Sequence, residues 1–184
     1  MRILMLWLVL MGAGIAGESQ TATEQPLMFV ADLTGQVVAP EAVTTAATAK
    51  ASAVLVGNRF TVHGSFSGLS SPLRDIEKKP DDPGVHLHRG RPGEVTPYFH
   101  GLQVRLNADE RSGIFFGTAT LDADQLKRLL ATEAYVDIHT VKNGPGEVRD
   151  QWRPVHPDAA RKLLASLEPH SPAVPARASG SCHQ

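Results

Sequence analysis

Hydrophobic and polar positions alternate with a period of two along most of the central chain, the signature of half-buried strands rather than helices. The clearest case is Phe60-Thr61-Val62-His63-Gly64-Ser65-Phe66, which puts Phe60, Val62 and Phe66 on one face. Leu27 to Leu33 reads as a first strand ending at Thr34-Gly35, and Thr48 to Leu55 as a second, running up to a turn at Gly57-Asn58. Val85-His86-Leu87-His88 alternates, as do Leu102, Val104 and Leu106, and then the Ile114 to Leu121 run. Tyr135 to Thr140 is stopped by Asn143-Gly144-Pro145-Gly146, and Glu147 to Trp152 reads as the last strand. Asp75 to Pro83 is too charged for any core and is expected to be a loop. Strands at this spacing predict an all-β antiparallel sandwich or Greek-key barrel.

Two segments break the pattern. Asp122 can cap a short helix with Gln125 three residues on, and Leu126, Leu129 and Leu130 form its buried stripe. Pro157 to Leu167 is amphipathic, with Ala160, Leu163, Leu164 and Leu167 on one side. From Pro169 onward Pro, Ser, Ala and Gly dominate, as in a disordered tail. The expected organisation is therefore a β-domain over residues 27–153, with a C-terminal helix and tail over 154–184.

At the other end, Met1-Arg2 supplies a positive charge, Ile3 to Met11 an apolar run, and Gly12 to Gly17 small residues. That layout is a signal peptide over residues 1–17, cleaved near Ala16 or Gly17. The apolar run falls short of the ~20 residues that span a bilayer. Export to the periplasm or the medium is expected, with no membrane association beyond the signal.

Composition narrows the reading further. The chain has 184 residues, enough for one domain, and its 18 Lys plus Arg against 19 Asp plus Glu give a formal charge of −1. That balance offers no electrostatic case for nucleic acid or an anionic membrane. Aromatic residues make up only 5%, so the core must rest on aliphatic side chains. Cys182 is the one cysteine, so no disulfide can form within the chain and packing alone must hold the fold. Neither a P-loop, a nucleophile elbow nor a glycine-rich dinucleotide motif is present.

The candidate chemistry lies in histidines, and alternation decides where they point. Val85 and Leu87 are natural core residues, so His86 and His88 share the opposite face. Val136 and Ile138 point inward, leaving Tyr135, Asp137 and His139 outward. Two histidines at i and i+2 plus a third from a neighbouring strand can hold one ion, and such imidazole-rich sites suit copper or zinc. Taken alone, His-x-His also describes two solvated surface residues. His63 is expected at the surface, and His156, His170 and His183 fall outside the β-domain. Glu147 and Arg149 alternate onto one outward face and are expected to form a surface ion pair. Asp137 with Glu147 is the available carboxylate pair, without a substrate-binding motif beside it.

Several blocks carry a resemblance. Val30-Ala31-Asp32-Leu33-Thr34-Gly35 with Ala39-Pro40, Phe66-Ser67-Gly68-Leu69, Val85-His86-Leu87-His88-Arg89-Gly90 and Tyr135-Val136-Asp137-Ile138-His139-Thr140 with Gly146-Glu147-Val148-Arg149 resemble the CHRD (chordin-type) domain family over roughly residues 27–152. The resemblance implies an immunoglobulin-like β-barrel, distantly similar to Cu,Zn superoxide dismutase, in a family of secreted modules. The dismutase order of Gly-Leu, a His-x-His strand, a later Val-x-His strand and an Arg is met by Gly68-Leu69, His86 and His88, His139, and Arg149. By the same order His100, in Tyr98-Phe99-His100-Gly101, is a fourth candidate ligand where the dismutase has its bridging histidine. The zinc-loop Asp and His residues and the disulfide have no counterpart. The sequence thus supports three readings: an exported copper-binding protein with ligands His86, His88, His139 and His100 (zinc as the alternative metal), a non-catalytic extracytoplasmic binding module, and a copper superoxide dismutase.

Overall fold

The structure, a computed structural model, describes residues 25–74 and 84–167. The signal segment, the charged 75–83 loop and the tail with Cys182, His170 and His183 lie outside those residues. Ten strands form two antiparallel sheets: β1 (Leu27–Leu33), β2 (Thr48–Val56), β3 (Arg59–Ser67), β4 (Val85–Arg89), β5 (Tyr98–Gly101), β6 (Gln103–Leu106), β7 (Gly113–Thr120), β8 (Ala134–Ile138), β9 (Val148–Gln151) and β10 (Arg153–Pro154). The larger sheet has the order β10-β1-β2-β3-β7-β6 and the smaller β5-β4-β8-β9. The fold is therefore an all-β sandwich, with the non-sequential neighbours β3–β7 and β4–β8 that Greek-key connections produce.

The period-two pattern does what the sequence implies. Every second residue of β2 and β3 is buried, and the two strands meet through a two-residue turn whose Gly57 has φ 59°. A left-handed backbone there suits a tight hairpin, and glycine adopts it without a Cβ penalty. On the inner face, small Ala49, Ala51 and Ala53 alternate with room for larger neighbours. Phe29, Phe60 and Trp152 pack edge to face at 5.7 and 5.2 Å between ring centroids, the arrangement that ring quadrupoles favour. Val85, Leu87, Leu102, Val136 and Ile138 are buried in this core. Val104 was expected with them but is only half-buried, and Leu106 is exposed. Both lie on β6, at the edge of the larger sheet, where one flank has no neighbouring strand to cover it.

Helix α1 (Ala123–Leu130) begins with the expected capping box: Asp122 accepts from the Gln125 amide while the Gln125 side chain accepts from the Asp122 amide. Its Leu129 and Leu130 enter the core, with Leu126 packed against it. Helix α2 (Pro157–Leu167) buries Ala160, with Leu163 and Leu164 partly covered and Leu167 exposed.

Candidate metal centre

The smaller sheet presents its outer face as rows of cross-strand neighbours. Asp137 of β8 stands between His86 of β4 and Arg149 of β9. In the next row Tyr135 stands between His88 and Gln151. His139 continues β8 by one residue, its amide donating to the Gly84 carbonyl. Gly84 makes this entry to β4 possible, because its φ of 76° would strain a residue with a Cβ. The expected alternation is thus correct: His86, His88, Asp137 and His139 all point away from the sandwich core.

They do not point into water. His86, His88, Asp137 and His139 are 1%, 6%, 4% and 7% exposed, which corrects the expectation of an exposed His139. The face is flanked by Val38 and Ala39, by Val95 to Tyr98, and by the 144–146 turn, which together line a partly open cavity of about 230 Å³. Within it, one donor atom from each of the four side chains lies within 4.8 Å of every other. Asp137 Oδ1 is the centre, at 3.0 Å from His139 Nε2, 3.1 Å from His88 Nε2 and 3.8 Å from His86 Nδ1. Four donors at ~2.1 Å from one ion stand roughly 3.4 Å apart in a tetrahedron, a spacing these distances bracket.

Backbone carbonyls fix two of the imidazoles. His88 Nδ1 donates to the Thr96 carbonyl at 2.8 Å and His139 Nδ1 to the Gly144 carbonyl at 2.7 Å. A carbonyl only accepts, so both protons are assigned to Nδ1. Neutral rings in that state turn two bare Nε2 lone pairs toward the Asp137 carboxylate. Acceptors do not face one another in a buried site unless a cation stands between them. That cation is either a proton on each ring or a metal ion, and fixing a ligand ring through its second nitrogen is how proteins prepare histidines for metal. His139 Nε2 lies 3.0 Å from Oδ1, within reach of a charge-assisted contact.

The electrostatics carry the same preference for positive charge. Burial pushes the Asp137 carboxyl up, but the neighbouring His139 and His88 outweigh it and hold it well below the usual carboxylate range. For His139 burial acts downward, and the close Asp137 carboxylate with the Gly144 carbonyl reverses it, so the imidazole is raised. Aromatic rings brace the outer imidazoles. Tyr98 stacks on His86 at 4.3 Å and Tyr135 on His88 at 4.4 Å, and the Arg149 guanidinium lies 3.4 Å over the Tyr135 ring.

His100, the fourth ligand expected from order along the chain, is elsewhere. A bulge between β4 and β5 leaves Phe99 as an extra residue, so Tyr98 pairs with His88 while His100 pairs with core-facing Leu87. His100 turns toward the other sheet, where its Nε2 would lie 3.7 Å from a Cβ placed on Gly117, and burial lowers its pKa. His63, on β3 of the larger sheet, is exposed, as is His156. The surface pair of Glu147 with Arg149 is also corrected. Glu147 is fully buried and accepts from Thr45, Ser70 and Thr140, whereas Arg149 donates to the Glu94 and Arg91 carbonyls. Glu147 therefore makes no carboxylate pair with Asp137. Asp137 itself was legible as an outward residue of the His139 strand, and period two alone put it there.

No curated protein and no solved structure matched the chain. The family model described as CHRD domain matches residues 29–152, two-thirds of the chain and every strand of the smaller sheet, so the chain belongs to the CHRD domain family.

Proposed function

We propose that this CHRD-domain protein is an exported, non-catalytic module that holds one divalent transition-metal ion, copper or zinc, through His86, His88, Asp137 and His139. The observation that carries the reading is the pair of imidazoles, His88 and His139, whose Nδ1 protons are committed to carbonyls and whose Nε2 atoms converge on one carboxylate oxygen. Imidazole is a borderline donor, so a set of three imidazoles with one carboxylate is matched to zinc and copper rather than to calcium or magnesium, which take all-oxygen shells. When bound, such an ion would supply a fixed positive charge that joins three strand-borne rings to Asp137. Four converging donors fill a tetrahedral set, whereas catalytic zinc sites keep one position open, which favours holding over turnover. Copper(II) should bind most tightly of the divalent first-row ions.

A second reading rests on the raised His139 and lowered Asp137: protons alone complete a buried His–Asp–His cluster, and the protein is a binding module without metal. The two separate experimentally. Protein recovered from the periplasm or medium without chelators should carry close to one equivalent of zinc or copper by elemental mass spectrometry. Titration should show affinity falling by more than ~100-fold in His139→Ala and sharply in the near-isosteric Asp137→Asn, exceeding the ~10–100-fold typical of losing a partner behind a ligand. His100→Ala and His63→Ala should bind as the wild type does. Equal affinity in the wild type and His139→Ala, or no binding at all, rejects the metal reading in favour of the protonated cluster.

A further inference from the structure

Glu147 is a carboxylate with no exposed surface, and its described partners are neutral. Oε1 accepts from the Thr45 hydroxyl at 2.6 Å and the Ser70 amide at 2.8 Å. Oε2 accepts from the Ser70 hydroxyl at 2.9 Å and the Thr140 hydroxyl at 2.7 Å. Burying a carboxylate is costly unless its lone pairs are satisfied, and here four donors from three separate segments do so. Those segments converge on the turn that follows His139. Thr140 Oγ1 accepts from the Asn143 amide at 3.2 Å, and Asn143 Nδ2 donates to Ser70 Oγ at 3.0 Å. The Asn143 carbonyl accepts from the Thr140 and Gly146 amides. The next residue is Gly144, whose carbonyl accepts from His139 Nδ1 and, at 2.6 Å, from Arg74.

We infer that Glu147 is a positioning residue for the metal centre: through Thr140 and Asn143 it holds the turn whose Gly144 carbonyl keeps the His139 proton on Nδ1 and its Nε2 lone pair aimed at the ion. The inference rests on the metal reading for its consequence, but the His139 Nδ1–H bond to the Gly144 carbonyl that it concerns exists in the metal-free protein as well. Among the described residues, the hydrogen bonds of Glu147 run to Thr45, Ser70 and Thr140 and to none of the four donor side chains. A carboxylate is required because Gln offers one acceptor oxygen to four donors and turns an NH2 group toward some of them. Thr96, by contrast, fixes His88 from the other side of the cavity and has no link to Glu147 in the described hydrogen bonds, so the two imidazoles are held independently.

That independence supplies the test. In Glu147→Gln and Thr140→Val, zinc affinity measured by competition with a chromophoric chelator should fall by roughly 10-fold or more, the range seen when a partner behind a ligand is removed. Thr140→Ser, which keeps the hydroxyl, should bind as the wild type does. In the metal-free proteins, ¹H–¹⁵N NMR should show the His139 Nδ1–H losing its hydrogen bond to the Gly144 carbonyl while the His88 Nδ1–H keeps its bond to Thr96. Movement of both imidazoles together would mean general loosening and would overturn the inference. So would an unchanged His139 Nδ1–H bond and unchanged zinc affinity in folded variants. Should Glu147→Gln fail to fold, Thr140→Val carries the test alone. If the wild type binds no zinc or copper, the metal reading fails, and the metal-free NMR comparison still decides the role of Glu147.

Discussion

At the scale of single residues, the site is governed by what each buried polar atom can accept or donate. Two carbonyls choose the tautomers of His88 and His139, and Asp137 gathers the lone pairs that result. Glu147 obeys the same accounting without any cation. Burial acts to raise its pKa, and the bonds from Thr45, Thr140 and Ser70 more than offset this, leaving the pKa lowered. A carboxyl held lower in the folded state than in the unfolded chain adds stability above the unfolded value of ~4.3, and that stability is lost as pH falls through the folded value. Glu147→Gln should therefore be less stable than the wild type at pH 7, and the gap should narrow below about pH 4. Denaturant unfolding at both pH values checks this, and a gap that stays constant or widens in acid would contradict it. None of this was visible along the chain, where Glu147 and Arg149 read as a surface pair. Alternation names the face of a residue, but it does not say whether a loop covers that face.

Among the elements, α1 and β3 show how local rules and packing differ. The capping box at Asp122 satisfies amides that the first helical turn leaves open. Asp122→Ala should cost about 1 kcal/mol, lowering the melting temperature by some 3 °C in a domain of this size. The metal site should be untouched, because the cap lies outside it. Gly64 is a packing case. A Cβ built there would fall 2.1 Å from Phe115 Cζ across β3 and β7, and an aromatic ring wedged in the core has little room to retreat. Gly64→Ala should destabilise by roughly 1–3 kcal/mol while leaving metal stoichiometry unchanged, as read from guanidinium unfolding beside elemental analysis. The α1 stripe and cap were legible because both are written within the nine residues from Asp122 to Leu130. The clash at Gly64 was not, because Phe115 lies 51 positions away and enters only through sheet pairing.

For the whole molecule, one ion would join β4 to β8 and the residue that follows it. Binding that favours the folded state stabilises by mass action, about 2.7 kcal/mol at a free ion concentration of 100 times Kd. Zinc or copper should thus raise the melting temperature of the metal-free protein by roughly 5–10 °C, a shift that a chelator reverses and that His139→Ala lacks. Calorimetry showing equal shifts in both proteins would place the ion elsewhere. Export makes a separate prediction. The mature protein should begin near Gly17 or Glu18, and intact mass of the secreted material starting at Met1 would rule out cleavage. Among the described residues, no helix is long and apolar enough to cross a membrane.

The chain by itself determined which face each strand residue takes, because a period of two is a local property of extended backbone. His86, His88, Asp137 and His139 were therefore committed to the outward faces of their own strands before any pairing was known, and Phe60, Val62, Val136 and Ile138 to the inward. The start and stripe of α1 were local in the same way. Tertiary structure decided the rest. Register set Asp137 opposite His86, and the approach of His88 to Asp137 spans 49 positions of chain. The bulge at Phe99 turned His100 inward and Tyr98 outward, reversing the part that order alone had assigned to His100. The 95–98 and 144–146 segments closed over the face, converting outward histidines into buried ones and supplying the carbonyls that select their tautomers. Such contacts depend on which segments meet in space, and period along the chain carries no record of that.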